Sequence, residues 1–315
     1  MNIEPLHPTL GAVVHDVDLA SIGPSTFEHI EQAFYVHGVL VFPGQRLTNE
    51  NHLAFSRMFG PLQKRTTYAR DKERIDSDEI ADISNIDANG MLLLPDSRQR
   101  AMNMGDRLWH TDGTFQQVPS MISLLYAAEV VPVGGNTEFA DMRAAYDALP
   151  ASERQEYENL VLVHSVYRSR EQVGFTEFNE HIQQLRPPAQ QVMVRVHEKT
   201  GRRSLYLASH ASHIIGRDVR ESRALLRRLI EFATQERFVY SHRWNAGDLV
   251  MWDNRCTMHR ARPFDDLRYR RIMQRTTVLD SANSVEKALA AGRKLELGPV
   301  EFRLGMVPSL DAPIT

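Results

Sequence analysis

The chain has 315 residues, enough for two domains at roughly 150 residues each or for one large β-rich unit. Its 37 Lys+Arg against 40 Asp+Glu, formal charge of −3 and 42% hydrophobic content exclude a disordered polyelectrolyte and a dedicated electrostatic nucleic-acid binder. One cysteine, Cys256, excludes an intrachain disulfide and a cysteine-rich zinc cage, so any metal falls to the 13 histidines and the carboxylates.

The opening stretch MNIEPLHPTLGAVVHDVDL carries acids and prolines where a secretory signal needs a basic start and an apolar core. No apolar run approaches the roughly 18 residues of a membrane span. The expectation is a soluble cytoplasmic protein with no membrane or nucleic-acid partner, and nothing here speaks against a homo-oligomer. Leu10 to Val17 and Val39 to Phe42 read as short buried strands around a helical pattern from Phe27 to Val36. Thr48 is an N-cap for a helix over Asn49 to Met58 that stops at Gly60-Pro61. The highly charged residues 62–79 read as an exposed loop. Ile80 to Asp87, Met121 to Val131 and Asn136 to Ala140 have strand composition, and Asp141 caps a helix through Ala148.

Residues 166–190, polar and aromatic with Pro187-Pro188, read as a second long loop. Val192 to Val196 and Ser204 to Ala208 flank HEKTG as a hairpin, Glu221 to Gln235 is a strongly amphipathic helix, and Asp248 to Trp252, Cys256 to Arg260 and Arg271 to Leu279 close the chain as strands. Without βαβ alternation, internal repeats or a linker, the pattern predicts a mainly β fold with flanking helices over 1–315 as a single domain. The two loops are its insertions, and a peripheral tail begins at about 281.

LWHTDGTF places His110 two residues before Asp112. About one His-x-Asp pair is expected by chance at this composition, so geometry has to carry the case. In an extended segment residues two apart share a face, which lets an imidazole and a carboxylate reach one ion. His29-Ile30-Glu31 has the same spacing on a helical pattern, where residues two apart point away from each other. The best third ligand is His259 in WDNRCTMHRARPFD, on a strand expected to pair with Val250 to Trp252. Two histidines and one carboxylate leave adjacent positions open on an octahedral ion, which suits non-haem Fe(II) oxygen chemistry; a zinc hydrolase is the rival reading. In YRRIMQRTTV, Arg271 and Arg275 share one strand face of a segment that otherwise reads as buried. Buried guanidiniums need anions, with Asp265 and Asp266 the ordinary partners.

LWHTDGTF, GGNTEFADMRAAYDALP, HRWNAGDLVMWDNRCTMHR and RRIMQRTTV together resemble the Fe(II)- and α-ketoglutarate-dependent dioxygenases of the taurine dioxygenase/TfdA family, over Leu6 to Asp280. EIADISN, the DMRAAYDALP helix and SHASHI resemble its dichlorophenoxyacetate branch more than taurine dioxygenase. The resemblance implies a distorted double-stranded β-helix (jelly-roll) core, with Fe(II) on His110, Asp112 and His259. It implies α-ketoglutarate on Thr137 and Arg271, with Arg270 the alternative, and a small anionic organic substrate on Arg275. His197, His210 and His213 are candidates to line the substrate pocket.

The implied reaction consumes O2, releases succinate and CO2, and hydroxylates a substrate carbon, with ascorbate supportive in vitro. An aryloxyalkanoate would collapse to a phenol and an oxo acid. A sulfonate or alkyl sulfate ester is the alternative substrate. Asp106 departs from the pattern, because taurine dioxygenase-like members often place an Asn four residues before the first ligand. Cys256 reads as a packing residue.

Overall fold

Two-residue periodicity sorts the strands of this chain into sheets that face each other. The structure is a computed structural model describing residues 1–64, 74–176, 178, 186–300 and 302. In chain order the strands are β1 (Asn2–Pro5), β2 (Ala12–His15), β3 (Val39–Phe42), β4 (Ala81–Asp82), β5 (Ser120–Glu129), β6 (Thr137–Asp141), β7 (Val161–His164), β8 (Ala189–Val192), β9 (Val194–Val196), β10 (Arg203–Leu205), β11 (Ala211–Ile214), β12 (Val239–His242), β13 (Leu249–Asp253), β14 (Thr257–Ala261) and β15 (Ile272–Leu279). The helices are α1 (Pro24–His37), α2 (Asn49–Arg57), α3 (Arg98–Asn103), α4 (Met142–Asp147), α5 (Ala151–Tyr157), α6 (Val166–Glu171), α7 (Val219–Ala233) and α8 (Ser284–Ala290).

The large sheet runs β1-β2-β3-β13-β5-β15-β4, and a three-stranded sheet runs β12-β6-β14. Val39 and Val41, Leu125 and Ala127, Val250 and Trp252, and Met273 leave the large sheet on one face and meet Phe139 of β6. The alternate residues Leu40, Phe42, Leu124, Leu249, Met251 and Val278 leave the other face and pack under Ile30 and Phe34 of α1 and Phe55 of α2. Each such large apolar side chain contributes roughly 1.5–3 kcal/mol by burial. This is the expected jelly-roll core with helices outside, and the metal-ligand candidates lie in its mouth.

Local signals act as expected at several ends. Thr48 accepts from the Asn51 amide while the Asn51 side chain accepts from the Thr48 amide, a reciprocal cap worth about 1 kcal/mol. Asp141 accepts from the amides of Arg143 and Ala144 at the head of α4. On α7, capped by Asp218, Leu226, Leu229 and Ala233 turn one face to the core.

Other expectations are corrected. The strand with His259 does not pair with Val250 to Trp252. β13 lies between β3 and β5, whereas β14 crosses to the opposite sheet and pairs with β6, His259 opposite Phe139. The Asp253-Asn254 turn is therefore a bridge between sheets. β4 is two residues long, since beyond it Ser84 and Asn85 satisfy the amides of Met273 and Arg271 through their side chains. The segment 166–190 is not a continuous loop: Ser165 caps α6, which buries Val166 and Tyr167, and β8 starts at Ala189. Parts of both expected loops, 65–73 and most of 177–185, lie outside the described residues. After 280, α8 packs Val285 and Ala288 against Val161, Val163 and Val192, so that part of the expected peripheral tail is anchored. Among the described residues no helix is long and apolar enough to cross a membrane.

Candidate active site

His110 and His259 are held together by backbone. Each amide donates to the other's carbonyl, at 3.0 and 2.8 Å, in an isolated antiparallel bridge between the segment before β5 and β14. Their rings stand 4.2 Å apart between centroids. Asp112, two residues on, returns to the same face with Oδ1 3.8 Å from His110 Nε2 and Oδ2 3.7 Å from His259 Nε2. The three ligand atoms lie within 4.8 Å of one another, and all three residues are buried. This donor set fits one divalent ion with positions left open. Leu108 O lies 2.8 Å from His110 Nδ1, which places that ring's proton on Nδ1 and frees Nε2 as a ligand. His259 is wedged against Trp252, centroids 4.7 Å apart.

Burial would push the Asp112 carboxyl up, but Arg275, His259, His110 and the Ser123 hydroxyl outweigh it and hold the group well below the usual carboxylate range. Burial first, then His110 and Arg275, keeps His259 well below the ordinary histidine value, so a neutral ring is presented. Ser123 and Asn254 carry no obvious sequence signal. Ser123 Oγ donates to Asp112 Oδ2 at 2.7 Å, Asn254 Nδ2 donates to Ser123 Oγ at 3.0 Å, and Asn254 Oδ1 accepts from the Asp112 amide at 3.1 Å. Only the return of the chain after β13 reveals them.

Thr137 and Arg271 are brought together around Trp244. The indole Nε1 donates to Thr137 Oγ1 at 3.0 Å, and the Arg271 guanidinium carbon stands 5.9 Å from the indole centroid. Arg271 is buried, and burial lowers its pKa to about 10. Its guanidinium reaches the Gly135 carbonyl at 3.5 Å and makes no ion pair among the described residues. Arg270 is 46% exposed and pairs with Glu129 at 3.4 Å, so the buried cation is Arg271. Asp266 is engaged by Arg100 at 2.9 Å, not by either inward arginine.

A cavity of about 700 Å³ opens beside the triad, lined by His110, Asp112, Phe115, Arg170, His210 and Arg275 among others. Arg271 instead lines a neighbouring cavity of about 80 Å³, and Asp106 borders both. The pairing of β15 with β5 shifts register between Ile272 and Met273, the skipped residue, Ala128, lying on β5; Arg271, just ahead of β15, lines the smaller cavity and Arg275 the larger. Arg275 Nη1 donates to Asp112 Oδ1 at 2.9 Å. Of the three pocket histidines, His210 lines the cavity, with its ring 4.8 Å from Phe115 and 5.9 Å from His110.

His213 lies on β11 beside Ser212 and is not among the lining residues. His197 is elsewhere: its Nδ1 accepts from the Lys199 and Thr200 amides, and its Nε2 meets Asp253 Oδ2 at 3.1 Å. It braces the hairpin turn against the strand crossing. Cys256 is buried and its thiol is pushed up to about 12, consistent with packing.

The model of the taurine catabolism dioxygenase TauD, TfdA family matches residues 2–277. The chain belongs to this family. It is 44% identical over 280 residues to the alpha-ketoglutarate-dependent 2,4-dichlorophenoxyacetate dioxygenase of Cupriavidus pinatubonensis, covering 88% of this chain and 97% of that protein. It is 38% identical over 298 residues to the (S)-phenoxypropionate/alpha-ketoglutarate-dioxygenase of Sphingobium herbicidovorans, covering 92% and 98%. The crystal structure of AAD-2 in complex with Mn(II) and N-oxalylglycine superposes with a TM-score of 0.83 at 43% identity, over 90% of this chain and all of that one. The chain is an α-ketoglutarate-dependent dioxygenase, and the zinc-hydrolase reading has no support.

Proposed function

We propose that the protein uses Fe(II) held by His110, Asp112 and His259 to hydroxylate an aryloxyalkanoate at the carbon beside the ether oxygen, with release of a phenol and an oxo acid. The single observation that supports this most is the pairing of a buried two-His-one-Asp triad with Arg271, a buried guanidinium that has no carboxylate of its own among the described residues. A buried cation without a counter-ion is costly by several kcal/mol, and the distal carboxylate of α-ketoglutarate is the anion this reaction brings.

When bound, the metal supplies the redox chemistry that couples loss of CO2 from α-ketoglutarate to reduction of O2. The protein's own part is positioning. Thr137 and Arg271 orient α-ketoglutarate. The Arg275 guanidinium, lining the large cavity next to Asp112, meets the substrate carboxylate there and so fixes which C–H bond faces the metal. His110 keeps its proton on Nδ1 against Leu108 O, so the ligand nitrogen stays available throughout. Phe115 and His210 form an aromatic wall suited to an aryl ring and exclude water from its face.

The test is substrate-stimulated succinate release with Fe(II), ascorbate and a panel of aryloxyalkanoates, sulfonates and sulfate esters. Aryloxyalkanoates should stimulate release and yield one phenol per succinate, with no turnover when α-ketoglutarate is omitted. Coupled turnover of sulfonates or sulfate esters with indifference to aryloxyalkanoates would overturn the substrate assignment.

A further inference from the structure

Asp106 stands between two cavities that the reaction has to connect. The triad lines the larger one and Arg271 the smaller, and Asp106 is the one residue, among those described, that lines both. It sits on one turn of 3-10 helix (Met104–Arg107) that ends at Leu108, whose carbonyl holds the His110 ring. The turn is fixed from outside. A Cβ on Gly105 would collide with the Arg170 guanidinium, so the side chain from α6 packs directly on its backbone.

Other charges of the small cavity are taken up locally. Arg100 grips Asp266 through two bonds, at 2.9 and 3.1 Å, Arg107 approaches the same carboxylate at 3.9 Å, and Arg262 lies 3.6 Å from Glu138. Asp106 is held less firmly. Its ion contact among the described residues is with Arg170 at 3.8 Å, beyond hydrogen-bond range, and that guanidinium donates to Ser169 Oγ at 3.2 Å. The Asp106 side chain is 41% exposed, so a solvated carboxylate stays in the wall that both cavities share. Burial lowers the pKa of Arg271, and Asp106 is the carboxylate whose field opposes that fall.

We propose that the Asp106 carboxylate loosens the grip of Arg271 on dicarboxylates, and so favours departure of the succinate product. This rests on the reading that Arg271 holds the distal carboxylate of α-ketoglutarate. Without a dicarboxylate, Asp106 faces Arg271 and offsets part of the cost of burying it. α-Ketoglutarate, reaching from the triad to Arg271, crosses from one cavity to the other beside Asp106, and its distal carboxylate then shares the field of Arg271 with a like charge. It has a second hold, the keto-acid end at the triad. Succinate meets the same repulsion after losing the keto group, so the end at Arg271 carries a larger share of its binding and the product leaves more readily.

The experiment titrates succinate and α-ketoglutarate calorimetrically into the Mn(II)-loaded protein without oxygen, and measures product inhibition by succinate in the Fe(II) assay. Wild type is compared with two neutral variants, Asp106→Asn and Asp106→Ser, with the charge-retaining Asp106→Glu, and with Arg271→Gln. Both neutral variants should bind each dicarboxylate roughly three- to tenfold more tightly, with a matching fall in the succinate inhibition constant, as expected on removing one like charge from a partly hydrated wall. Asp106→Glu should stay within about twofold of wild type, and Arg271→Gln should bind both dicarboxylates more weakly. Structural damage would weaken binding, so tightening reports the charge itself. Unchanged or weaker binding in both neutral variants, or equal tightening in Asp106→Glu, would overturn the proposal, and weaker binding by Arg271→Gln would then leave the cosubstrate reading standing. Dicarboxylate affinity untouched by Arg271→Gln would overturn both.

Discussion

The backbone amide of Asp112 donates to the side-chain oxygen of Asn254 at 3.1 Å, so the turn after β13 holds the only carboxylate of the metal triad. The same Asn254 donates to Ser123, which donates to Asp112, and Trp252 Nε1 donates to Asn254 Oδ1 at 3.2 Å. Replacing it by alanine strands three polar groups in a buried site. Asn254→Ala should weaken metal affinity about 10–100-fold and lower stability by roughly 1–3 kcal/mol. Calorimetric titration with Mn(II) checks this; an unchanged affinity would show that the turn does not hold the ligand.

Gly113 follows Asp112 directly with φ of 66°, a left-handed conformation, and a Cβ there would stand 2.2 Å from Ser120 Oγ and 2.8 Å from the Ser120 amide nitrogen. Since the second neighbour is backbone, the Asp112 segment has to move. Gly113→Ala should cost on the order of 1–3 kcal/mol and reduce kcat more than about tenfold, because small displacements of a ligand are expensive in rate. A variant with wild-type kcat would refute the constraint.

Arg271 and its neighbour separate two chemistries at adjacent positions. Arg271→Ala should raise the KM for α-ketoglutarate on the order of 100-fold, the loss of a buried charge-assisted pair. Arg270→Ala, which removes a surface pair with Glu129, should change it less than about twofold. Steady-state succinate assays at varied α-ketoglutarate decide between them, and equal effects would mean the cosubstrate carboxylate is held elsewhere.

Two buried histidines outside the site set the acid limit of stability. Burial lowers the pKa of His52 to about 4 and of His164 to about 3, and among the described residues neither ring nitrogen of His164 has a hydrogen-bond partner. Both rings are neutral when folded, and the unfolded chain takes up their protons near 6.5. Their contribution is therefore complete above about pH 6.5 and is lost as pH falls toward about 4 for His52 and about 3 for His164, on the order of 2 kcal/mol each by pH 5. His164→Leu should match wild type at pH 7 and exceed it by about 2 kcal/mol at pH 5 in urea unfolding. An identical acid loss in the variant would sink the assignment.

What could be read from the sequence alone was everything that depends on local period and local chemistry. His110 and Asp112 fall on one face because an extended chain repeats every two residues. Asp141, Thr48 and Asp218 announce helix starts because their oxygens accept from amides two or three residues on. The family followed from four such stretches together. The tertiary structure decided what depends on how distant segments meet. It placed β14 on the opposite sheet from β13, so that His259 faces His110 through backbone bonds that no local pattern encodes. It placed Arg271 and Arg275 in adjoining cavities. It also assigned three equivalent-looking histidines to a cavity wall, a small sheet and a hairpin brace, because a side chain's role is set by its neighbours in space, and those come from residues far along the chain.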